Sequence, residues 1–220
     1  MTILLALAAV YAAMMLLRYG RRALLVAVPG LVRFRSQPDA PAATAPQRQA
    51  GEALASLGFR RLGRRTEDGP FGGLDLRTDA WANEADGAYA DVFDHAPRPG
   101  AGPWLYFLSV FPDGALALTA NHPRAGRSDG TVEVGGIVGA GADAAWAVHR
   151  RTVSRLAGRH GLPAAAADLA AREAAARTWY RVAGNRELRR LFRLHFLNTV
   201  FAAAILGYAA HALWRRFHAS

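Results

Sequence analysis

The 220-residue sequence contains no cysteine and no lysine. Without thiols, disulfides, Cys-ligated zinc, iron–sulfur clusters and thiol catalysis are excluded. The missing lysine reflects coding bias. All 27 basic residues are arginine, alanine is abundant, and together these mark a GC-rich bacterial genome. Individual arginines therefore carry little weight as selected binding groups. Acidic residues number only 17, and they are unevenly placed. Residues 66–143 hold twelve of them against four arginines, a net of −8, which leaves +18 on the rest of a chain whose formal net charge is +10. A nucleic-acid binder carries its basic patch on the folded domain. Here the middle is acidic and the positive charge flanks the apolar ends, where anionic lipid headgroups would be met. That distribution argues for a lipid bilayer as partner and against nucleic acid.

Charge of either sign is absent from two stretches. Residues 3–17 are uninterrupted, but short against the roughly 20 residues that cross a bilayer core of about 30 Å. Arg18 can extend the segment by snorkelling and Tyr19 by sitting at the interface. The segment reads as an uncleaved anchor, because only Met1 and Thr2 precede it and arginines follow it, the reverse of a signal peptide. Residues 23–32, broken by Pro29 and Gly30, read as an interfacial or core-packing piece. Residues 196–214 form the second charge-free stretch, closed by Trp214, Arg215 and Arg216, with His211 near its end as an interfacial histidine. Arg18, Arg21 and Arg22 follow the first span, and Arg186, Arg189, Arg190 and Arg193 precede the second. These seven are the expected membrane-surface residues. The positive-inside rule then places the intervening domain in the cytoplasm of a bacterial inner membrane.

The expected organisation is an anchor with its interfacial segment over residues 1–35, a proline-containing linker over 36–46, a soluble α+β domain over 47–185, and a transmembrane helix and tail over 186–220. Within the domain, a helix is expected over 47–57. Residues 74–80 alternate, with Leu74, Leu76 and Thr78 inward and Asp75, Arg77 and Asp79 on a wet face. Residues 88–93 give a weaker strand. Residues 104–111 are apolar on both faces and should be central. The turn Pro112-Asp113-Gly114 returns the chain as a hairpin over 115–120, and 131–138 is a last strand. Helices follow over 144–160, with Trp146, His149, Val153, Leu156 and His160 on one stripe, and over 164–182. A further helix runs from 186 into the span. The fold class predicted is α+β, an antiparallel meander with helices on one face. This order is similar to that of helix-grip domains, a resemblance of element order without shared motifs.

Motifs for chemistry are sparse. Gly139-Ala140-Gly141-Ala142-Asp143-Ala144 fits a dinucleotide-type glycine pattern, but helix follows helix where a second parallel strand is required. It reads as a strand-to-helix turn with Asp143 as N-cap. His149 and His160 lie about 16 Å apart along one helix, too far to share a metal. No cofactor, metal site or catalytic set is expected. Three functional readings remain. The first is a membrane-held module that captures a protein partner. The second is a lipid- or ligand-binding groove between sheet and helix, lined by Trp104, Tyr106, Trp146 and His149. The third is an enzyme built on His95, His122 or His149, which requires at least two of them to converge.

Overall fold

The computed structural model of the chain describes residues 2–42, 44–69, 74–94, 102–124 and 126–218. Eight strands form a single sheet. They are β1 (Arg33–Gln37), β2 (Arg60–Asp68), β3 (Asp75–Asn83), β4 (Ala88–Phe93), β5 (Leu105–Val110), β6 (Leu116–Ala120), β7 (Arg127–Ser128) and β8 (Val132–Gly136), in the order β1-β2-β3-β4-β5-β6-β8-β7. The apolar β4 and β5 are central, as their composition requires, and the edges fall to arginine-bearing β1 and the two-residue β7, which suits strands with an unpaired side.

Alternation along the strands gives the sheet two buried faces. One presents Trp81, Val92, Leu105 and Phe107 to helices α2 (Ala45–Ser56) and α3 (Ala142–His160). The other presents Tyr89, Phe93, Tyr106, Leu108 and Leu118 to α4 (Leu169–Trp179) and to the adjoining ends of α1 (Thr2–Ala27) and α5 (Asn185–His218). The α+β class therefore stands, but the helices cover both faces and not one. The cause is local: β5 is apolar on both sides and β4 is buried along its whole length, with Asp91 as its one charged residue, so each side needs a cover.

Three further expectations are corrected. The last strand does not extend a meander, because β8 pairs parallel to β6 while β7 takes the edge. Asp129 accepts the backbone N–H groups of Thr131 and Val132 at 3.1 and 2.8 Å and turns the chain back into the slot between β6 and β7. The expected linker is shorter, since Ser36 and Gln37 belong to β1. α2 begins after a capping box in which Thr44 and Gln47 satisfy each other's backbone N–H. The wet face over residues 75–79 is wet only at its start. Asp75 and Arg77 are exposed and paired, whereas Asp79 is fully buried against Arg61 at 2.9 Å, whose guanidinium also reaches the Ala40 carbonyl.

Helix α3 carries Trp146, His149 and Leu156 inward as its stripe predicts, but its N-cap is Gly141 and Asp143 lies in the first turn. α4 is shorter than expected. It starts at the Asp168 cap and passes into a π-turn, Tyr180–Gly184. The arginines at 18–22 do not end α1. The helix continues to Ala27 and sends Leu25 and Val26 into the domain core, which realises the core-packing reading of that segment.

Candidate membrane interface

Helices α1 and α5 run antiparallel against each other outside the sheet. On α5 the inward residues recur with heptad spacing, from Leu188 through Phe192, His195, Thr199, Ala202 and Leu206 to Ala209, and on α1 Ala8, Ala12, Met15 and Tyr19 answer them. Tyr19 meets the His195 ring at 5.0 Å, and the Arg22 guanidinium lies 3.2 Å from His195 Nε2 and 5.7 Å over Phe192. This register brings Ala12 opposite Ala202, both buried. Small side chains at that level let two helix backbones approach closely.

The outer faces are apolar. Leu17, Leu194 and Phe201 are 81%, 73% and 67% exposed, and Leu7, Val10, Met14, Val200 and Tyr208 also point outward. Contiguous exposed apolar surface of this kind marks an interaction or lipid-facing region. Among the described residues, one helical segment is long and apolar enough to cross a membrane, Phe192–Ala212. At 1.5 Å per residue the rise from Arg193 to Arg215 is about 33 Å, close to a bilayer core.

The register also sets the seven sequence-predicted arginines in one zone. Arg18, Arg21 and Arg22 on α1 fall beside Arg193 and Phe192 on α5, with Arg186, Arg189 and Arg190 one to two turns nearer the domain. Glu187, buried at the same level, lies 3.8 Å from Arg190 and 3.5 Å from Arg124. His211 stacks on Trp214 near the far end of α5.

The four residues expected to line a groove do not converge. Alternation along β5 sends Tyr106, with neighbouring Trp104, to the face under α4, while Trp146 and His149 lie on the opposite face under α3. Trp104 stacks on His122 with centroids 4.6 Å apart. Trp146 sits edge-on to Phe59 at 4.9 Å. His149 is enclosed, with Nε2 3.1 Å from Ser109 Oγ and Nδ1 3.1 Å from Thr119 Oγ1, and burial pushes its pKa down to about 3. The histidines proposed for catalysis do not meet either: His122 and His149 are on opposite faces, and His95 lies outside the described residues. His160, at the end of the same stripe, bonds Asp113 at 2.6 Å and the Gly130 carbonyl at 2.7 Å. Among the described residues no group of three or more His, Asp or Glu is arranged to hold a metal ion.

Sequence reasoning missed a charged network buried between the sheet and α4. Arg65 donates to Glu67 at 2.6 Å and to Asp91 at 2.8 Å, and Arg172 donates to the same Asp91 and to the Tyr106 hydroxyl at 2.9 Å. The Tyr180 hydroxyl donates to Glu67. Arg65, Asp91 and Arg172 are fully buried. Burial alone would raise the Asp91 carboxyl, but Arg172, Arg65 and the Tyr106 hydroxyl outweigh it and hold it below its ordinary value. Burial raises both tyrosines, so they remain neutral donors. Beside this network is an enclosed cavity of about 40 Å³, bounded by Glu67, Thr78, Tyr106 and Arg124, room for water and little more. Two arginines among alanines and alternating strand positions carry no pattern that joins them in sequence. Only the fold brings them together.

No family model matches the chain, and neither a curated protein nor a solved structure matches it.

Proposed function

We propose that this chain is a bacterial inner-membrane protein in which α1 and α5 cross the bilayer as a pair and hold the α+β domain at the cytoplasmic surface, as a docking module for a protein partner. The observation that carries this reading is the outer surface of the helix pair, apolar on both helices and closed on the domain side by seven arginines. Only Arg215 and Arg216 stand at the far end of α5, and that asymmetry favours the cytoplasmic side for the domain. The contact of Tyr19 with His195 supports extending the reading to α1, a helix of 26 residues, although among the described residues only α5 holds a segment apolar enough to cross by itself. The domain supports a binding role over a catalytic one. Its described histidines are separated, and the cavity beside the buried charged network, about 40 Å³, is far below a small-molecule site.

The test uses the absence of native cysteine. A Ser128→Cys variant, on an exposed edge-strand position, should resist a membrane-impermeant maleimide in spheroplasts and react after permeabilisation. The chain should remain in the pellet after alkaline carbonate. Labelling before permeabilisation overturns the orientation, and release by carbonate overturns the anchoring. Crosslinking in native membranes should then recover one stoichiometric partner.

A further inference from the structure

We propose that the neck between the helix pair and the domain binds one anionic phospholipid. The proposal rests on the membrane reading above and names a specific ligand for it. A groove of about 660 Å³ lies between residues 30–34, which follow α1, and residues 174–181, which precede α5. These are the two connections to the membrane pair, so the groove opens where the domain meets the bilayer surface. Its apolar wall is made by Val32, Phe34 and the Tyr180 ring, and its polar wall by Arg177, Thr178 and Arg181.

Charge and continuity identify the occupant. The Arg177 guanidinium lies 4.8 Å over the Phe34 ring, and Arg181 donates to Thr178 Oγ1 at 3.1 Å, so both cations are held at the groove. The acidic group beside them is Glu173, 3.7 Å from Arg177, and it also accepts the Ser36 hydroxyl. Two arginines against one carboxylate leave the groove positive. From the bilayer side, Leu24, Val28 and Leu31 are 43%, 49% and 39% exposed. Their spacing of four and three residues sets them on one side of the chain. This apolar track starts just past Arg21 and Arg22 and leads to Gly30 and Val32, which line the groove. A peptide or a soluble anion has no use for a track that begins at the bilayer surface. A phospholipid does: an acyl chain lies along Leu24, Val28 and Leu31 while the phosphate meets Arg177 and Arg181. Basic pockets next to membrane helices recognise anionic headgroups in this way.

The experiment is native mass spectrometry of the full chain released from nanodiscs of phosphatidylglycerol and phosphatidylcholine mixed equally. One phosphatidylglycerol should be retained per chain, and inorganic phosphate should not displace it. Arg177→Gln/Arg181→Gln should weaken retention roughly thirtyfold, the loss of two arginine–headgroup contacts. Gly30→Glu should do the same by placing a carboxylate at the mouth, where an added side chain meets open space. Arg189→Gln/Arg190→Gln, on the arginine zone outside the groove, should retain the lipid. Retention unchanged in both groove variants, equal loss in the Arg189/Arg190 variant, or equal capture of phosphatidylcholine overturns the site. Carbonate extraction separates the two failures: a chain that stays in the membrane without selective lipid leaves the anchoring intact, and a chain that washes off removes both readings.

Discussion

Replacing Arg172 with methionine should cost the domain about 3–4 kcal/mol at pH 7, and less in acid. The side chain is fully buried and its guanidinium donates to Asp91 and, at 2.9 Å, to the Tyr106 hydroxyl. Methionine fills much of the volume, so the cost is mainly electrostatic. Within the network two arginines balance two carboxylates, and Arg172→Met leaves a net charge of −1 out of water. Breaking a buried pair by removing one partner costs about 3–5 kcal/mol. The lower part of that range applies because Asp91 keeps Arg65 at 2.8 Å. Against a domain stability of about 5–15 kcal/mol, the variant still folds. In the parent, the folded-state pKa of Asp91 is depressed, so its contribution is present above the unfolded carboxyl value and is lost as pH falls through the folded one. In the variant the largest opposing charge is gone while the burial remains, so the carboxyl moves upward and protonation relieves the buried charge. The difference between the two proteins should therefore narrow from pH 7 to pH 4.5. Urea unfolding in detergent, followed by the fluorescence of the domain tryptophans, measures both stabilities. A loss below about 1 kcal/mol, or one that is the same at both pH values, refutes the reasoning. Arg172→Met/Asp91→Leu should recover part of the loss, because no unpaired carboxylate is then buried beside Arg65.

Burial holds His149 neutral with a pKa of about 3 against an ordinary 6.5. The unfolded chain takes up this proton first, so stability falls with pH below 6.5, by about 2 kcal/mol between pH 8 and pH 5. His149→Gln should lose that slope, which the same urea titration reads. His160, raised by its bond to Asp113, titrates with the opposite sign in both proteins and drops out of the comparison. Ala12→Cys/Ala202→Cys should crosslink rapidly under mild oxidation in a chain with no other cysteine, giving a shifted band on a denaturing gel, and Ala12→Cys/Ala203→Cys, with the second thiol outward, should not. Failure of the first pair to crosslink removes the register of the helix pair.

Periodicity made most elements legible before the structure. The Trp146–His149–Leu156 stripe fixed the inner side of α3, the Pro112-Asp113-Gly114 turn fixed the β5–β6 hairpin, and two-sided apolarity placed β5 at the centre. The same property of β5 implied cover on both faces, an inference the one-face expectation did not draw. β1 was hidden because RFRSQ has arginines at alternate positions and pairs along only one edge. The parallel insertion of β8 was hidden because strand patterns specify faces and not neighbours. The arginine zone was legible because charge beside an apolar run is a local feature. The buried network was not, since Arg65, Asp91 and Arg172 are separated by 26 and 81 residues and become partners only through the fold.

The pairing of α1 with α5 carries a consequence for biosynthesis. α1 is complete at Ala27, and its partner does not begin until Asn185. At about 5–20 residues per second, the ribosome takes on the order of ten seconds or more to deliver the second helix. Throughout that interval the inner face of the first helix is without its partner from α5, while the whole sheet is translated between the two. The sheet and its covering helices thus have time to fold as a nascent unit before the hairpin closes, and termination after α4 but before α5 leaves that unit on a single unpaired stalk.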